Sequence, residues 1–302
     1  MNKNLVSIIM NCHNGEKYLT QAVNSIFKQS YKNWELIFFD NASKDNSAKI
    51  IKSFRDKRIK YYHSKYIKLG KARKRALKLC KGEFISFLDC DDYWSPNKLQ
   101  LQIKELKKNL DVGVSFSNSY FFKNNEKKLL YKKTPPDGYI FKSLLKKYNI
   151  SFDTVIIKKI YLNKLNQKFD EKFNITHDLD LLIRLSMITK FKYLHKNLSW
   201  WRIHENSFSQ NKISIVNQEK KKFLNKLKKI LKEKKNRKKY IDLFKINLNQ
   251  SLIEEYIMSK NIKKFLKLFL ETKNFRIKYL ILLCVAIFPG GSHIYKKFKK
   301  SW

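Results

Sequence analysis

The chain has 302 residues, 66 of them basic and 25 acidic, for a formal net charge of +41, with only seven glycines and four cysteines. That length buries a substantial core, and it suits one larger domain (1–212) followed by a basic tail (213–302) better than two equal domains. Cys12, Cys80, Cys90 and Cys284 show no paired metal spacing and no disulfide framework, and no glycine-rich phosphate loop, G-x-G-x-x-G or repeat period is present, which excludes those classes.

Leu5 to Met10 is an apolar run that reads as a buried strand. Asn11 and Asn14 soon break it, so no secretory leader is expected and the protein should stay in the cytoplasm. Tyr18, Leu19, Ala22, Val23, Ile26 and Phe27 then recur at helical spacing. Trp34 to Phe39 is the next strand, Ile50, Ile51 and Phe54 mark a helix, Ile59 to Tyr62 a third strand, and Ala72, Ala76 and Leu79 a third helix. Phe84 to Leu88 closes the series as a short apolar strand. The order βαβαβαβ predicts an α/β fold on a doubly wound, mostly parallel sheet. Ligands bind beyond the carboxyl ends of such strands, so Asn11 to Asn14, Asp40-Asn41 and Asp89 to Asp92 are expected to line one site.

The run Asp89-Cys90-Asp91-Asp92 carries the sharpest chemistry. Three carboxylates at one strand end repel each other unless a cation or hydrogen-bond donors compensate. Two of them one residue apart suit a hard divalent ion, Mg²⁺ or Mn²⁺, whose shell is commonly completed by substrate phosphates. The competing reading is an acidic turn capping the helix that begins near Pro96.

Pro135-Pro136-Asp137-Gly138 marks a turn between two halves of the first domain, and Ile140 to Ile157 shows no decisive periodicity. Leu179, Leu182, Ile183 and Leu185 form a helical stripe that would point Asp178 out of a first turn, as a functional carboxylate or as a cap. His204-Glu205 does not continue to a second histidine, because position 208 is Phe, so a zinc-protease reading fails. Glu219 to Tyr240 is dense in lysine, and Phe223, Leu224, Leu227, Ile230 and Leu231 give it one amphipathic basic helix. Such a helix suits anionic lipid, nucleic acid or packing on the catalytic domain. Tyr279 to Phe288 is an uncharged run of ten residues flanked by Arg276, Lys278, Lys296, Lys297, Lys299 and Lys300. It is too short to span a bilayer but is suited to the interface, with Trp302 at the boundary.

Taken together, these pieces resemble a family 2 glycosyltransferase of the glycosyltransferase-A (GT-A) fold. The resemblance rests on Val6 to Ile9 leading into Asn14-Gly15-Glu16-Lys17-Tyr18-Leu19, Ser25 to Ile37, Asp40 to Ser47, Leu69 to Arg73, Gly82 to Asp92, His177 to Leu185 and Trp201 to Ser207, in order over roughly residues 5 to 210. It implies an inverting transfer from a nucleotide-diphosphate sugar, with uridine the expected base, to a hydroxyl of a cell-envelope glycan or lipid-linked acceptor. By that resemblance Asp40 meets the nucleobase, His13 packs on it where similar proteins often have Tyr, and Asn11 and Asn14 line the donor pocket. Arg73 faces the diphosphate, Asp89 the ribose, and Asp91 the metal, with Asp92 supporting. Arg202 and His204 fold over the diphosphate, and His204 is a second candidate for the ion. Asp178 is the expected catalytic base, although His177 stands where similar proteins usually carry Glu, and Asp180 is expected to lie behind it or in solvent.

The charge and the C-terminal pattern together point to an anionic membrane surface, on the cytoplasmic face, as a partner. Nucleic acid is the weaker alternative, because ordered acidic clusters repel phosphates unless metal-filled. A further alternative is a fold relative without chemistry, serving as a scaffold.

Overall fold

The computed structural model describes residues 2–205 and 212–271. The chain divides into two compact units, Met1–Phe208 and Ser209–Trp302.

In the first unit the expected alternation is present. β1 (Asn2–Cys12), β2 (Trp34–Asn41), β3 (Ile59–Ser64) and β4 (Gly82–Phe87) are joined by α1 (Glu16–Phe27), α2 (Ser47–Ser53) and α3 (Leu69–Leu79). The strands pair in parallel in the order β3-β2-β1-β4, so the chain reverses its direction of winding between β1 and β4. This is the point in an open sheet where ligand crevices form. The apolar residues dictate the layers. Val6, Ile8, Met10 and Cys12 project from one face of β1 and pack with Leu19, Ala22, Val23 and Ile26 of α1. β2 is buried along its whole length, as expected of a strand covered on both faces.

Beyond β4 the sheet becomes mixed. β5 (Tyr93–Trp94) precedes α4 (Lys98–Lys108), followed by the long β6 (Val112–Lys123) and its hairpin partner β7 (Glu126–Leu129). The segment without decisive periodicity forms α5 (Phe141–Lys146), a 3₁₀ turn at Phe152–Thr154 and β8 (Ile156–Lys158). β8 inserts antiparallel between β4 and β6, and α6 (Lys159–Asn163), α7 (His177–Leu185) and β9 (Lys190–Arg202) complete the unit. Gly138 has φ of +79°, a left-handed conformation that favours glycine, and it bridges to Phe191 after the Pro135-Pro136 turn.

Over Glu219 to Tyr240 in the second unit the sequence predicts one amphipathic helix, whereas the structure has the end of one helix and the start of the next. α8 (Ile213–Ile230) ends where Glu233 to Asn236 offer no apolar face, and α9 (Arg237–Met258) starts beyond that break. Phe223, Leu227 and Leu231 are buried, and the Phe223 ring meets Phe244 of α9 edge-on at 5.0 Å. The apolar stripe is therefore spent on a neighbouring helix, and Lys220 reaches across to donate to Asn247 Oδ1 of α9 at 3.0 Å, while Lys221, Lys222, Lys228 and Lys229 stay exposed. α10 (Ile262–Glu271) buries Phe265 against Ile253 and Ile257. The apolar run at 279–288, its flanking lysines, Cys284, Trp302, Asn206 and Ser207 lie outside the described residues. Among the described residues no helix is long and apolar enough to cross a membrane.

Candidate active site

The loops after β1, β2 and β4 meet at the switch point. Asn14, in a left-handed conformation with φ of 55°, donates its backbone N–H to Ser43 Oγ and accepts from the Lys44 backbone N–H at 2.8 Å. Gly15 and Glu16 donate their backbone N–H groups to Ser47 Oγ and Asp45 Oδ2. These bonds lace the β1–α1 and β2–α2 loops together, with the Asn14 side-chain oxygen as one of the ties and the residue exposed at the loop surface.

Asp40 also differs from expectation. It is 1% exposed, its Oδ1 accepts from the Ser43 backbone N–H at 2.8 Å, and its Oδ2 accepts from the Tyr61 hydroxyl at 2.9 Å. The carboxylate closes an Asx-type turn and points inward, which leaves it no open side toward a nucleobase. Aromatic surface at this edge comes instead from His13 and Tyr66, both exposed, with ring centroids 5.1 Å apart. His13 Nδ1 lies 2.9 Å from the Asn41 carbonyl, which can only accept, so that nitrogen carries the proton. Asn11 is buried, and neither its amide nitrogen nor its amide oxygen has a partner. An orphaned amide at a strand end is costly unless a ligand completes it, which fits a donor-contacting role.

The acidic run after β4 is split by its partners. The Asp89 side chain is 48% exposed, and its Oδ1 accepts from Arg73 at 2.6 Å, with Arg73 itself buried on α3. Asp91 Oδ2 lies 2.9 Å from His204 Nε2, and both side chains are partly open to solvent. Asp92 turns the other way. It is buried and accepts from the Arg202 backbone N–H at 2.8 Å, and burial, then repulsion from Asp91, pushes its carboxyl well above the usual range. It therefore anchors the end of β9 rather than an ion. Arg202 is held in turn, donating to the Asp91 carbonyl at 2.9 Å and to Gln21, with its guanidinium 4.3 Å from the Tyr18 ring centroid and 4.5 Å from that of Phe122.

An oxygen of Asp91 and a nitrogen of His204 side by side fit a divalent ion of the Mn²⁺ type. Among the described residues no three potential ligands cluster, so such an ion would depend on phosphate oxygens and water for the rest of its shell.

Arg73 links this motif to α7. Its second terminal nitrogen makes a close contact with His177 Nε2, while His177 Nδ1 faces the Asn174 carbonyl at 3.0 Å. Nδ1 therefore carries the proton, Nε2 accepts from Arg73, and burial followed by the Arg73 charge holds the imidazole well below its ordinary pKa, hence neutral. All other residues of α7 are buried, and Asp178 alone is half-open. Burial pushes the Asp178 carboxyl above the usual range, and the Leu179 backbone N–H, the Arg73 charge and the Tyr148 hydroxyl oppose that. Tyr148 donates to Asp178 Oδ2 at 2.9 Å. Asp180 is neither behind the base nor in solvent. It is fully buried and paired with Arg184 at 2.5 Å, so it is structural.

Residues 7–169 match the model of the family described as glycosyl transferase family 2. The chain is 34% identical over 217 residues to the Escherichia coli UDP-Glc:alpha-D-GlcNAc-diphosphoundecaprenol beta-1,3-glucosyltransferase WfgD, covering 70% of this chain and 82% of that one. It is 33% identical to the Escherichia coli enzyme of the same description, WfaP, covering 69% and 81%. Among solved structures it is similar to S. aureus TarS in complex with UDP-GlcNAc (TM-score 0.64, 20% identity, 83% and 72% coverage). It is also similar to the mannosyltransferase PcManGT from Pyrobaculum calidifontis in complex with GDP-Man and Mn²⁺ (TM-score 0.58, 14% identity, 98% and 87% coverage). Both structural likenesses are to GT-A glycosyltransferases, in agreement with the sheet order and its mixed continuation.

Proposed function

We infer the reaction from the premise that this chain belongs to glycosyl transferase family 2: it moves a sugar, with inversion, from a UDP-sugar to a hydroxyl of a lipid-linked or cell-envelope glycan. One observation carries the reading. The Arg73 guanidinium bonds Asp89 of the acidic motif and contacts His177, the neighbour of Asp178, and its charge also acts on the Asp178 carboxyl, so one buried cation lies between the donor-side motif and the start of α7. The two Escherichia coli relatives, described as UDP-glucose-dependent enzymes acting on a diphosphoundecaprenol-linked sugar, support both the donor class and the acceptor class.

Each residue then has a physical task. Asn11, His13 and Tyr66 offer the nucleoside an unpartnered amide and two exposed rings. Asp89, oriented by Arg73, accepts from a ribose hydroxyl, and Arg73 and Arg202 supply fixed positive charge near the diphosphate. Asp91 and His204 would hold a divalent ion, which when bound offsets the charge that develops on the departing nucleotide. Tyr148 occupies Asp178 Oδ2 and leaves the other oxygen to take the proton from the acceptor hydroxyl as it attacks the anomeric carbon opposite the leaving group. The proton ends on Asp178, and the nucleoside diphosphate leaves with the bonding electrons.

The second unit suits a membrane surface where a lipid-linked acceptor is found. On α10, Ile262, Leu266 and Leu270 are exposed beside Lys263, Lys264 and Lys267, which is the composition of an interfacial helix on anionic lipid. We place the protein on the cytoplasmic face of that membrane, where nucleotide sugars are available.

The reading is tested by thermal unfolding with UDP, GDP, UDP-glucose and UDP-GlcNAc, each with and without Mn²⁺. A nucleotide at 100 times its Kd adds about 2.7 kcal/mol. A uridine-specific rise in Tm that needs Mn²⁺ and disappears in Asp91→Ala is expected. No response to any nucleotide would sink the reading.

A further inference from the structure

Two thiols sit inside the donor site, and nothing in the proposed reaction uses them. Cys12 ends β1 between Asn11 and His13, and Cys90 stands between Asp89 and Asp91. Both are free, Cys12 buried and Cys90 half-exposed. Their sulfurs crowd one point: a methyl group on Gly15 would fall 2.8 Å from Cys12 Sγ and 2.7 Å from Cys90 Sγ. The strands bring them there. β1 and β4 are parallel neighbours with Ile9 paired to Phe87, and each cysteine lies three residues beyond that pair, packed on the α1 side of the sheet. β4 itself ends at Phe87, so Cys90 stands in the turn that follows it, and the approach of the two sulfurs to the one point beside Gly15 is what brings them within reach of a disulfide.

We propose that Cys12 and Cys90 form a modification site, a dithiol that a low-molecular-weight disulfide such as oxidised glutathione converts into an intramolecular disulfide, closing the donor pocket reversibly. In the first step the half-exposed Cys90, as its thiolate, attacks the reagent, forming a mixed disulfide and releasing one reagent thiolate; contact with Cys12, burial and the Asp91 and Asp89 charges hold this thiol well above its ordinary value, so the step is slow near neutral pH and faster in alkali. Cys12 then attacks the Cys90 sulfur and expels the second. Two protein thiols are oxidised by two electrons in total, the reagent's S–S bond is reduced, and the two protons leave with its thiolates.

Closure acts on the donor motif because Cys90 has no slack. The sulfurs must draw together to a bond of roughly 2 Å, and the flanking carboxylates move with that backbone. Asp89 is engaged with Arg73 at 2.6 Å and Asp91 with His204 at 2.9 Å, separations that tolerate little displacement. Oxidation is thus expected to remove nucleotide binding while leaving the fold intact.

The experiment uses the full chain, exposed to oxidised glutathione, then alkylated with iodoacetamide, digested without reduction and mapped by mass spectrometry. A cross-linked peptide pair containing Cys12 and Cys90, two hydrogens lighter than the sum of its parts, is expected, and dithiothreitol should reverse it. In parallel the UDP and Mn²⁺ thermal response should disappear on oxidation and return on reduction. It should survive the oxidant in both Cys90→Ser and Cys12→Ser, of which either one that folds is sufficient. Recovery of Cys12 and Cys90 as separate alkylated or glutathionylated peptides, or a cross-link that leaves the nucleotide response unchanged, overturns the proposal. A reduced protein that ignores every nucleotide would instead defeat the transferase reading, and the peptide map would still decide whether the dithiol closes.

Discussion

Replacing Tyr148 with Phe removes one hydroxyl and keeps the ring, so it isolates the bond that Asp178 Oδ2 accepts at 2.9 Å. Burial is the largest influence on Asp178 and raises its pKa; the groups opposing it are the Leu179 backbone N–H, the Arg73 charge and the Tyr148 hydroxyl. Of these, the hydroxyl can be deleted without touching α7 or the donor motif. A hydrogen bond to a charged group contributes about 1.5–3 kcal/mol, and each 1.36 kcal/mol is tenfold, so the ratio of ionised to protonated Asp178 should fall by about tenfold or more. The sign follows directly. Losing a donor to the charged form raises the pKa, a protonated carboxyl cannot take the acceptor's proton, and activity is lost first on the acid side. The acid limb of kcat/KM should therefore move upward, with the rate well above it less affected. The assay is nucleotide release from the donor across pH, for the wild type, Tyr148→Phe, Asp178→Asn and the double variant. Asp178→Asn should abolish transfer yet bind nucleotide, and Tyr148→Phe should add nothing in its background. An unmoved acid limb, or an equal loss with and without Asp178, would refute the reasoning.

Two further outcomes are expected. Lys98 is fully buried, 4.2 Å from the Trp94 ring centroid, and desolvation, opposed by Asp153, brings its pKa down to about 7. Between that value and the ordinary 10.5 the unfolded chain holds a proton the folded chain lacks, so stability should rise with pH across this window by up to about 1.4 kcal/mol per unit; Lys98→Met should flatten that slope in urea titrations, and an unchanged slope would count against it. On the second unit, the exposed Leu266 and Leu270 should make co-sedimentation with phosphatidylglycerol vesicles weaker in Leu266→Ser/Leu270→Ser and at high salt, with little binding to phosphatidylcholine; equal binding to both lipids would remove the membrane proposal.

The sheet was legible because its signal is local. Apolar runs separated by helical spacing need no tertiary information, and the end of β4 then singles out Asp89 to Asp92 by chain order, whereas Asp178, in the first turn of α7, was named through the family resemblance. What the sequence hid was direction. Asp40 and Asp92 share residue type and neighbourhood with Asp89 and Asp91, yet the first turns toward Tyr61 and Ser43 and the second toward the end of β9. Asp180 sits two residues from Asp178 on the same helix, and a rotation of about 200° sends it into Arg184. Tyr66 and Tyr148 carry no sequence pattern, because a loop and a short segment place them only once the fold is formed. A helix boundary was also missed: the lysine-rich stretch continues helical composition through Leu231 to Asn236, but once α8 can bury its stripe against α9 the chain turns there.

His177 is where this chain departs from the acidic pair that similar proteins usually carry, and its geometry gives that departure a consequence. A neutral imidazole accepts from Arg73 without competing for its charge, so Asp89 is the carboxylate in contact with that guanidinium. His177→Glu would set a second carboxylate against Arg73, draw it from Asp89, and add negative charge one residue from Asp178. Like charge disfavours the ionised base, so two effects should appear together: weaker binding of UDP with Mn²⁺, by about tenfold if one charge-assisted bond of roughly 1.5 kcal/mol is lost, and an acid limb displaced upward. His177→Gln, which keeps a neutral acceptor, should show neither at full size. Titration of UDP by calorimetry into both variants decides it. If the Glu and Gln variants bind equally and keep the same pH profile, Arg73 is not the element that couples the donor motif to the base.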